Sequence, residues 1–326
     1  MRSIRYDKFF WVGLILVFMV SFPPSASSQD YPNKPITLYC GFTAGGTTDL
    51  TARGLARGAE KLLGVPVVVE NKTGGTGTVM ASLLATKKPD GYTLAVLDGG
   101  AVTYMPLLFS VTYDPLKDFT LLMQYSRYLG GLCVLSESPI KTIDEFIAYA
   151  KTHPGLSYAS TGFYSQQGIS AEFFAQRYGL KFKEIAYKGG AAALTSFMGK
   201  HTDFLVGSGS HIPYVKQGVF RLLLVFNTSK RDPAFPDIPT SKELGCEDAP
   251  PNGMFVSGPK GLPEAIVKKL SETFKKVAES PDFQQLLTQA NLPYDFKDRA
   301  QVENDVPSKY EWWKTYLQKM GVKKKD

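Results

Sequence analysis

The sequence predicts an α/β protein of parallel sheets crossed by helices, and three observations predict it. Short strand-like runs alternate with segments of helical periodicity from residue 36 to residue 227. Glycine-bearing turns follow the strands at 41–46, 74–77, 98–101, 161–168, 188–190 and 208–211. The length, 326 residues, suits two domains of ordinary size. Strand, turn and helix in repetition are the pattern of a parallel sheet with crossover connections. Such sheets place their ligands beyond the carboxyl ends of the strands.

At the N-terminus, Arg2, Arg5 and Lys8 precede an apolar run over 9–22, and Ala26, Ser27 and Ser28 follow. A basic start, a short apolar run and small residues form a secretory signal peptide over 1–28, with cleavage expected after Ser28. The run is shorter than the roughly 20 apolar residues a spanning helix needs. No later stretch meets that length, so the mature chain is expected to be soluble and periplasmic. Cys40, Cys133 and Cys246 are far apart and odd in number. They suggest neither a disulfide framework nor a metal site. The leader carries three basic residues and one acid, so its removal takes the formal charge from +7 to +5. A modest positive balance suits an acidic ligand. The basic residues are dispersed without interleaved aromatics, which argues against nucleic acid as a partner.

The first strand-turn-helix unit is the most informative. Residues 36–39 are apolar and β-forming, and from Asp49 on the residues Leu50, Leu55, Ala56 and Leu62 recur at helical spacing. Between them lie Gly45, Gly46, Thr47 and Thr48. Glycine lets backbone N–H groups approach a ligand, and the first N–H groups of a helix lack internal partners at the positive end of its dipole. The turn is therefore either a plain βα connection or an anion site. It is neither a phosphate-binding Gly-Lys-Ser/Thr loop nor a dinucleotide fingerprint.

Strands at 65–70 and 92–97 continue the sheet, each with a glycine turn and a helical stretch after it. Runs 119–125 and 132–135 lead into a second unit. Thr142 with Glu145 forms a capping box for a helix over 142–151. Strands follow at 157–160, 184–187, 202–207 and 220–227, with helices reaching 178, 198 and 217. The turn 161–168 is rich in hydroxyls and amides, which donate to an anion or a carbonyl. Residues 254–256 are read as the return crossing. Helices are expected at 263–280, with Pro263 in its first turn, at 281–289 and at 298–319. The aromatics of the last one, Tyr310, Trp312, Trp313 and Tyr316, are expected to pack on the first domain.

Taken in order, these segments resemble the substrate-binding proteins of tripartite tricarboxylate transporters, the Bug family. The resemblance rests on Gly41-Phe42-Thr43-Ala44-Gly45-Gly46-Thr47-Thr48-Asp49, Val68-Val69-Glu70-Asn71-Lys72, Pro89-Asp90-Gly91-Tyr92-Thr93-Leu94, Tyr187-Lys188-Gly189-Gly190, Asp203-Phe204, Ile238-Pro239-Thr240 and Gly258-Pro259-Lys260-Gly261-Leu262-Pro263. It implies a type 2 periplasmic binding protein fold: two α/β lobes with a ligand cleft between them, 29–124 plus 254–326 forming lobe 1 and 125–253 lobe 2. It implies capture of a small carboxylate (a dicarboxylate, tricarboxylate or aromatic acid) and delivery to a large and a small integral membrane subunit. A monomer is expected, with no cofactor and no metal. Carried over, the ligand-binding residues are Phe42, Ala44, Gly45, Gly46, Thr47, Thr48 and Asp49 of the first loop, with Gly99 and Ala101 in support. Opposite stand Ser160, Gly162, Phe163, Tyr164, Ser165 and Gln166, with Tyr187 and Asp203 as further wall candidates.

The chain also departs from the family pattern. The facing loop of the family is commonly Gly-x-Gly-Ser with a histidine three residues on, whereas here the second glycine position is Tyr164 and the histidine position is Gly168. Asp98-Gly99-Gly100 stands where many members carry Ser, Thr or Asn. Phe163 and Tyr164 suit an aromatic acid. An enzyme is not expected: His153, His201 and His211 lack metal spacing, and no Gly-x-Ser-x-Gly elbow is present. Asp49 and Asp203 could pair as acid and base, but Asp49 reads better as a cap or loop brace. A sensory protein presenting its carboxylate to a membrane kinase remains the alternative role.

Overall fold

The computed structural model describes residues 31–162, 165–226, 231, 232, 234–246, 250–319, 321, 322 and 324. The segment 1–28, read above as a signal peptide, and Phe163 and Tyr164 lie outside the described residues.

Two sheets organise the chain. The first has the order β11-β4-β10-β3-β1-β2. Here β1 (Ile36–Cys40) runs parallel to β2 (Val67–Asn71) and β3 (Thr93–Asp98), while β10 (Gly253–Pro259) runs antiparallel between β3 and β4 (Phe119–Arg127). The second has the order β7-β6-β8-β5-β9. Its β6 (Leu156–Ser160) is parallel to β7 (Phe182–Ala186) and β8 (Phe204–Gly207), and β5 (Gly130–Leu135) is antiparallel to β8 and β9 (Phe220–Phe226). Each sheet carries crossover helices, so the chain is two α/β lobes. It passes from the first sheet to the second between Arg127 and Gly130 and returns between Phe226 and Gly253.

The central strands are apolar because both of their faces are covered. β3 is buried from Leu94 to Asp98, and β10 is buried throughout. In the second lobe Phe146, Tyr158, Phe174 and Phe204 fill the space between sheet and helices. The helix α5 (Ile143–Thr152) starts from the expected capping box, with Thr142 and Glu145 exchanging hydrogen bonds. In the first lobe α1 (Thr47–Leu63) ends at Gly64 in the left-handed conformation, φ 72°, which glycine adopts without strain.

Two features were not anticipated. A short strand β11 (Tyr294–Lys297) joins the edge of the first sheet through an irregular pairing with β4. The terminal helix α11 (Arg299–Lys319) packs on both lobes and not on the first alone. Trp313 lies 4.8 Å from Tyr104 of the first lobe, and Tyr316 lies 4.3 Å from Phe173 of α6 (Gln166–Tyr178) in the second.

The helix α1 lies against α9 (Glu264–Glu279) at a close approach. A Cβ at Gly58 would stand 2.4 Å from Cγ1 and 2.8 Å from Cγ2 of Val277. Val is stiff at χ1 and cannot swing away. Alanine in place of glycine gains about 1 kcal/mol of helix propensity, but overpacking costs about 1–3 kcal/mol. The clash is direct, so Gly58→Ala is expected to lower unfolding stability by about 1–2 kcal/mol in urea titration, with part regained in Gly58→Ala/Val277→Ala.

Candidate ligand-binding site

Three helix starts from the two lobes converge on one chamber. α1 begins at Thr47 with Gly46 at its N-cap, and no side chain closes that end. α7 (Gly190–Met198) begins in the same way from Gly189, whose φ of 98° favours glycine. α6 begins after Ser165, whose hydroxyl accepts the Gly168 N–H at 3.3 Å. Phe42, Gly46, Thr47 and Thr48 meet Ser165, Gln166 and Gly190 around a space of about 40 Å³. No lysine or arginine is among its described wall residues. Attraction for an anion therefore comes from backbone N–H groups and helix dipoles. A wider outer chamber of about 540 Å³ shares Phe42, Thr43, Thr76, Thr161 and Gly189 with the inner one. Met105, Phe109, Tyr187 and Lys188 extend its wall.

The inner chamber has an acidic end. Asp98 caps the short helix α3 (Gly99–Val102), and its Oδ1 accepts the Gly100 N–H at 2.7 Å and Asn252 Nδ2 at 2.8 Å. Burial pushes its carboxyl up to about 6, against the lowering effect of Asn252, Gly100 and the Tyr128 hydroxyl. Tyr128 in turn lies 2.7 Å from Thr48 Oγ1. Glycine is needed on both sides of this cluster. A Cβ at Gly99 would come within 2.3 Å of Asn252 Oδ1, and one at Gly100 within 2.8 Å of the Tyr104 ring. Tyr104 and Tyr128 stay protonated, because burial, with Asp98 alongside, raises both well above the ordinary tyrosine range.

Braces behind the wall hold the loops in place. Asp49 Oδ2 accepts the Gly45 N–H and Arg53 Nε, both at 2.9 Å, and its Oδ1 accepts Asn71 Nδ2 at 2.8 Å. Burial alone would raise the Asp49 carboxyl, but Arg53, Asn71 and Gly45 together hold it below the usual range. In the second lobe the Ser160 hydroxyl donates to Glu184 Oε1 at 2.6 Å. That same oxygen lies 2.7 Å from where a Cβ at Gly168 would be. Gly168 and Glu184 therefore belong together, and a histidine at 168 would collide with the carboxylate.

The residues expected at the site are placed differently. Phe42, Gly46, Thr47, Thr48, Ser165 and Gln166 line the inner chamber, and Gly162 and Tyr187 line the outer one. Asp49, Gly99, Ala101 and Ser160 are buried behind the wall, while Ala44 and Gly45 are exposed on the first turn and line neither chamber. Asp203 lies elsewhere: its Oδ2 accepts the Ser157 N–H and hydroxyl, both at 2.7 Å. It precedes β8 and so sits at the amino end of a parallel strand, away from the cleft. Tyr104, Tyr128, Gln167, Ser208 and Asn252 line the inner chamber without having been singled out. The turn before Gly190 was visible as Lys188-Gly189-Gly190, but Tyr128 and Asn252 sit on the crossing segments, which no periodicity marks.

His211 supports the Ser208 turn from below. Its Nδ1 accepts the Gly209 N–H at 3.2 Å, and burial pushes its pKa down to about 3. Glycines at 131 and 207 make room for the ring, since a Cβ at either would come within 2.6 Å and 2.3 Å of it. The unfolded chain protonates this histidine near its ordinary value of about 6.5. With the folded value depressed, the contribution of His211 to stability is constant above about pH 6.5 and falls as pH drops, by about 1.4 kcal/mol per pH unit for one proton. Between pH 7 and pH 5 the native protein is expected to lose about 2 kcal/mol more than His211→Gln in urea titration.

Comparison with known proteins places the chain in a family. A family model described as the tripartite tricarboxylate transporter family receptor, TctC, matches residues 51–322. A Cupriavidus necator UPF0065 protein, from the gbd 5′ region, is 35% identical over 94% of this chain and 93% of its own. An R. palustris protein solved with adipate has a TM-score of 0.84 and 27% identity, covering 91% of this chain and 100% of its own. MatC from Rhodopseudomonas palustris, with bound malate, has a TM-score of 0.80 and 26% identity over 88% and 100%. The family model spans most of the sequence and the Cupriavidus relative nearly all of it, and on both grounds the chain belongs to the tripartite tricarboxylate transporter receptor family.

Proposed function

We propose that this protein is a periplasmic solute-binding protein that captures a small carboxylate between its lobes and delivers it to a tripartite tricarboxylate-type secondary transporter. The observation that carries the reading is the pair of uncapped helix starts, at Gly46–Thr47 and Gly189–Gly190, opening onto one chamber from opposite lobes. Carboxylates in the adipate- and malate-bound relatives support it. The membrane partners would be the large and small integral subunits of such a transporter, and the segment 1–28 would direct export.

In this reading the protein binds and does no chemistry. A carboxylate that spans the gap takes hydrogen bonds from both lobes, each worth about 1.5–3 kcal/mol because the acceptor is charged. Several such bonds, less the cost of ordering, give about −8 kcal/mol, a micromolar affinity. A ligand that gains contacts to both lobes favours the closed arrangement by that differential affinity.

A thermal-shift screen of small carboxylates tests the proposal. A true ligand at a hundred times its Kd adds about 2.7 kcal/mol and raises the melting midpoint. Thr48→Ala on one lobe and Gln166→Ala on the other are each expected to weaken its binding about tenfold or more, by the loss of about 1.5 kcal/mol. A flat response to every small acid would overturn the reading.

A further inference from the structure

We propose that Thr76 is the specificity-determining gate residue of the cleft: its side chain, set across the neck between the two chambers, limits the bulk of what reaches the inner one. This builds on the reading of the cleft as the binding site and adds a control on entry to it.

The neck is built from both lobes. Phe42, Thr43, Thr76, Thr161 and Gly189 line the inner and the outer chamber alike. Across it, two threonines of the first lobe face two glycines of the second. A Cβ at Gly162 would stand 3.2 Å from Thr76 Oγ1, and one at Gly189 would stand 3.2 Å from Thr43 Oγ1. Both separations are shorter than the roughly 3.5–4.0 Å of an ordinary packing contact. Neither glycine could carry a side chain unless the facing threonine moved. The second lobe is thus bare at these two points, and the threonines supply the bulk.

The backbone singles out Thr76 of the two. It is left-handed, with φ 52° and ψ 43°, between Gly75 at φ 53° and Gly77 at φ 92°. A β-branched residue is poorly suited to that region. The other described non-glycine residues with positive φ are Lys200 and Asn291. They follow the C-terminal ends of α7 and of α10 (Pro281–Gln289), where left-handed residues are usual. Thr76 has no such setting. Its turn is closed by the backbone, from the Gly77 N–H to the Gly74 carbonyl at 3.0 Å. Glycine at 76 would complete it without strain. The Thr76 hydroxyl has no hydrogen-bond partner among the described residues. The side chain therefore serves neither the turn nor a neighbour, and what it does is stand in the neck opposite Gly162. Strained residues of this kind gather at ligand clamps and switches.

Thiol labelling of the mature protein tests the proposal and needs no ligand. Ser208 is buried and lines the inner chamber, so Ser208→Cys puts a thiol there with little change in size. The native Cys40, Cys133 and Cys246 are buried and report any unfolding in the same experiment. The probe is methyl methanethiosulfonate. In Ser208→Cys/Thr76→Gly the introduced thiol is expected to react about tenfold faster than in Ser208→Cys, since less local opening is needed to reach it. In Ser208→Cys/Thr76→Asn it is expected to react no faster than in Ser208→Cys. Asparagine tolerates the left-handed backbone, so both variants relieve the strain and only glycine clears the neck. The native cysteines are expected to stay unlabelled in Ser208→Cys/Thr76→Gly. The proposal is overturned if glycine at 76 leaves the rate unchanged, if asparagine speeds it as glycine does, or if the native cysteines of the glycine variant label in step with the introduced one. The glycine variant decides the matter even where the asparagine one does not fold. A failed gate leaves the carboxylate reading standing, because that reading is tested by the ligand screen and not by labelling.

Discussion

The Asp98 carboxylate is where the two crossing segments and the floor of the cleft meet. Asn252, just before the return strand β10, donates to it, as does Tyr128 on the outward crossing. The two segments are also joined directly, by the Tyr128 N–H and the Asn252 carbonyl at 3.2 Å. Tyr128 reaches on to Thr48 in the first turn of α1, and Thr51 one turn later pairs with Tyr125 of β4 at 2.9 Å. One buried acid thus ties the crossing segments to the helix whose open end faces the inner chamber. Buried polar networks of this kind are strong when complete and costly when a member is removed. The glycines at 99 and 100 exist for this network, since any side chain there would push Asn252 or Tyr104 away.

The open helix ends work as a site only because other residues keep the loops from closing on themselves. A flexible glycine turn would lose affinity to the entropy of ordering it. Asp49 prevents that by taking three donors at once, from Gly45, Arg53 and Asn71. Glu184 does the corresponding work in the second lobe by holding the Ser160 hydroxyl. Tyr104 adds a link across the cleft through a backbone hydrogen bond from Gln166. The wall therefore offers rigid neutral donors instead of mobile cations.

Much of this was legible in the sequence, and the parts that were not share a physical cause. The β1–turn–α1 unit, the capping box at Thr142 and the later strand-turn-helix units are local, so residue order alone reports them. The Asp98–Asn252 bond joins residues 154 positions apart, and periodicity carries no trace of it. Asp203 stood in a recognisable Asp-Phe pair, yet its position before β8 puts it at the wrong end of a parallel strand for the cleft. Strand β11 escaped because four residues with an irregular pairing leave no alternation to read. Spacing marks the aromatics of α11 as packing residues but says nothing of how many bodies a helix touches.

That last helix constrains how the lobes can move against each other. Trp313 rests on Tyr104 while Tyr316 rests on Phe173, so an oily seam joins the two halves near the cleft. Pulling the halves straight apart would wet these rings, at up to about 1.5–3 kcal/mol for each side chain fully exposed. A swivel whose axis runs along the seam leaves them dry. The seam thus resists a straight separation of the halves more than a rotation about its own length.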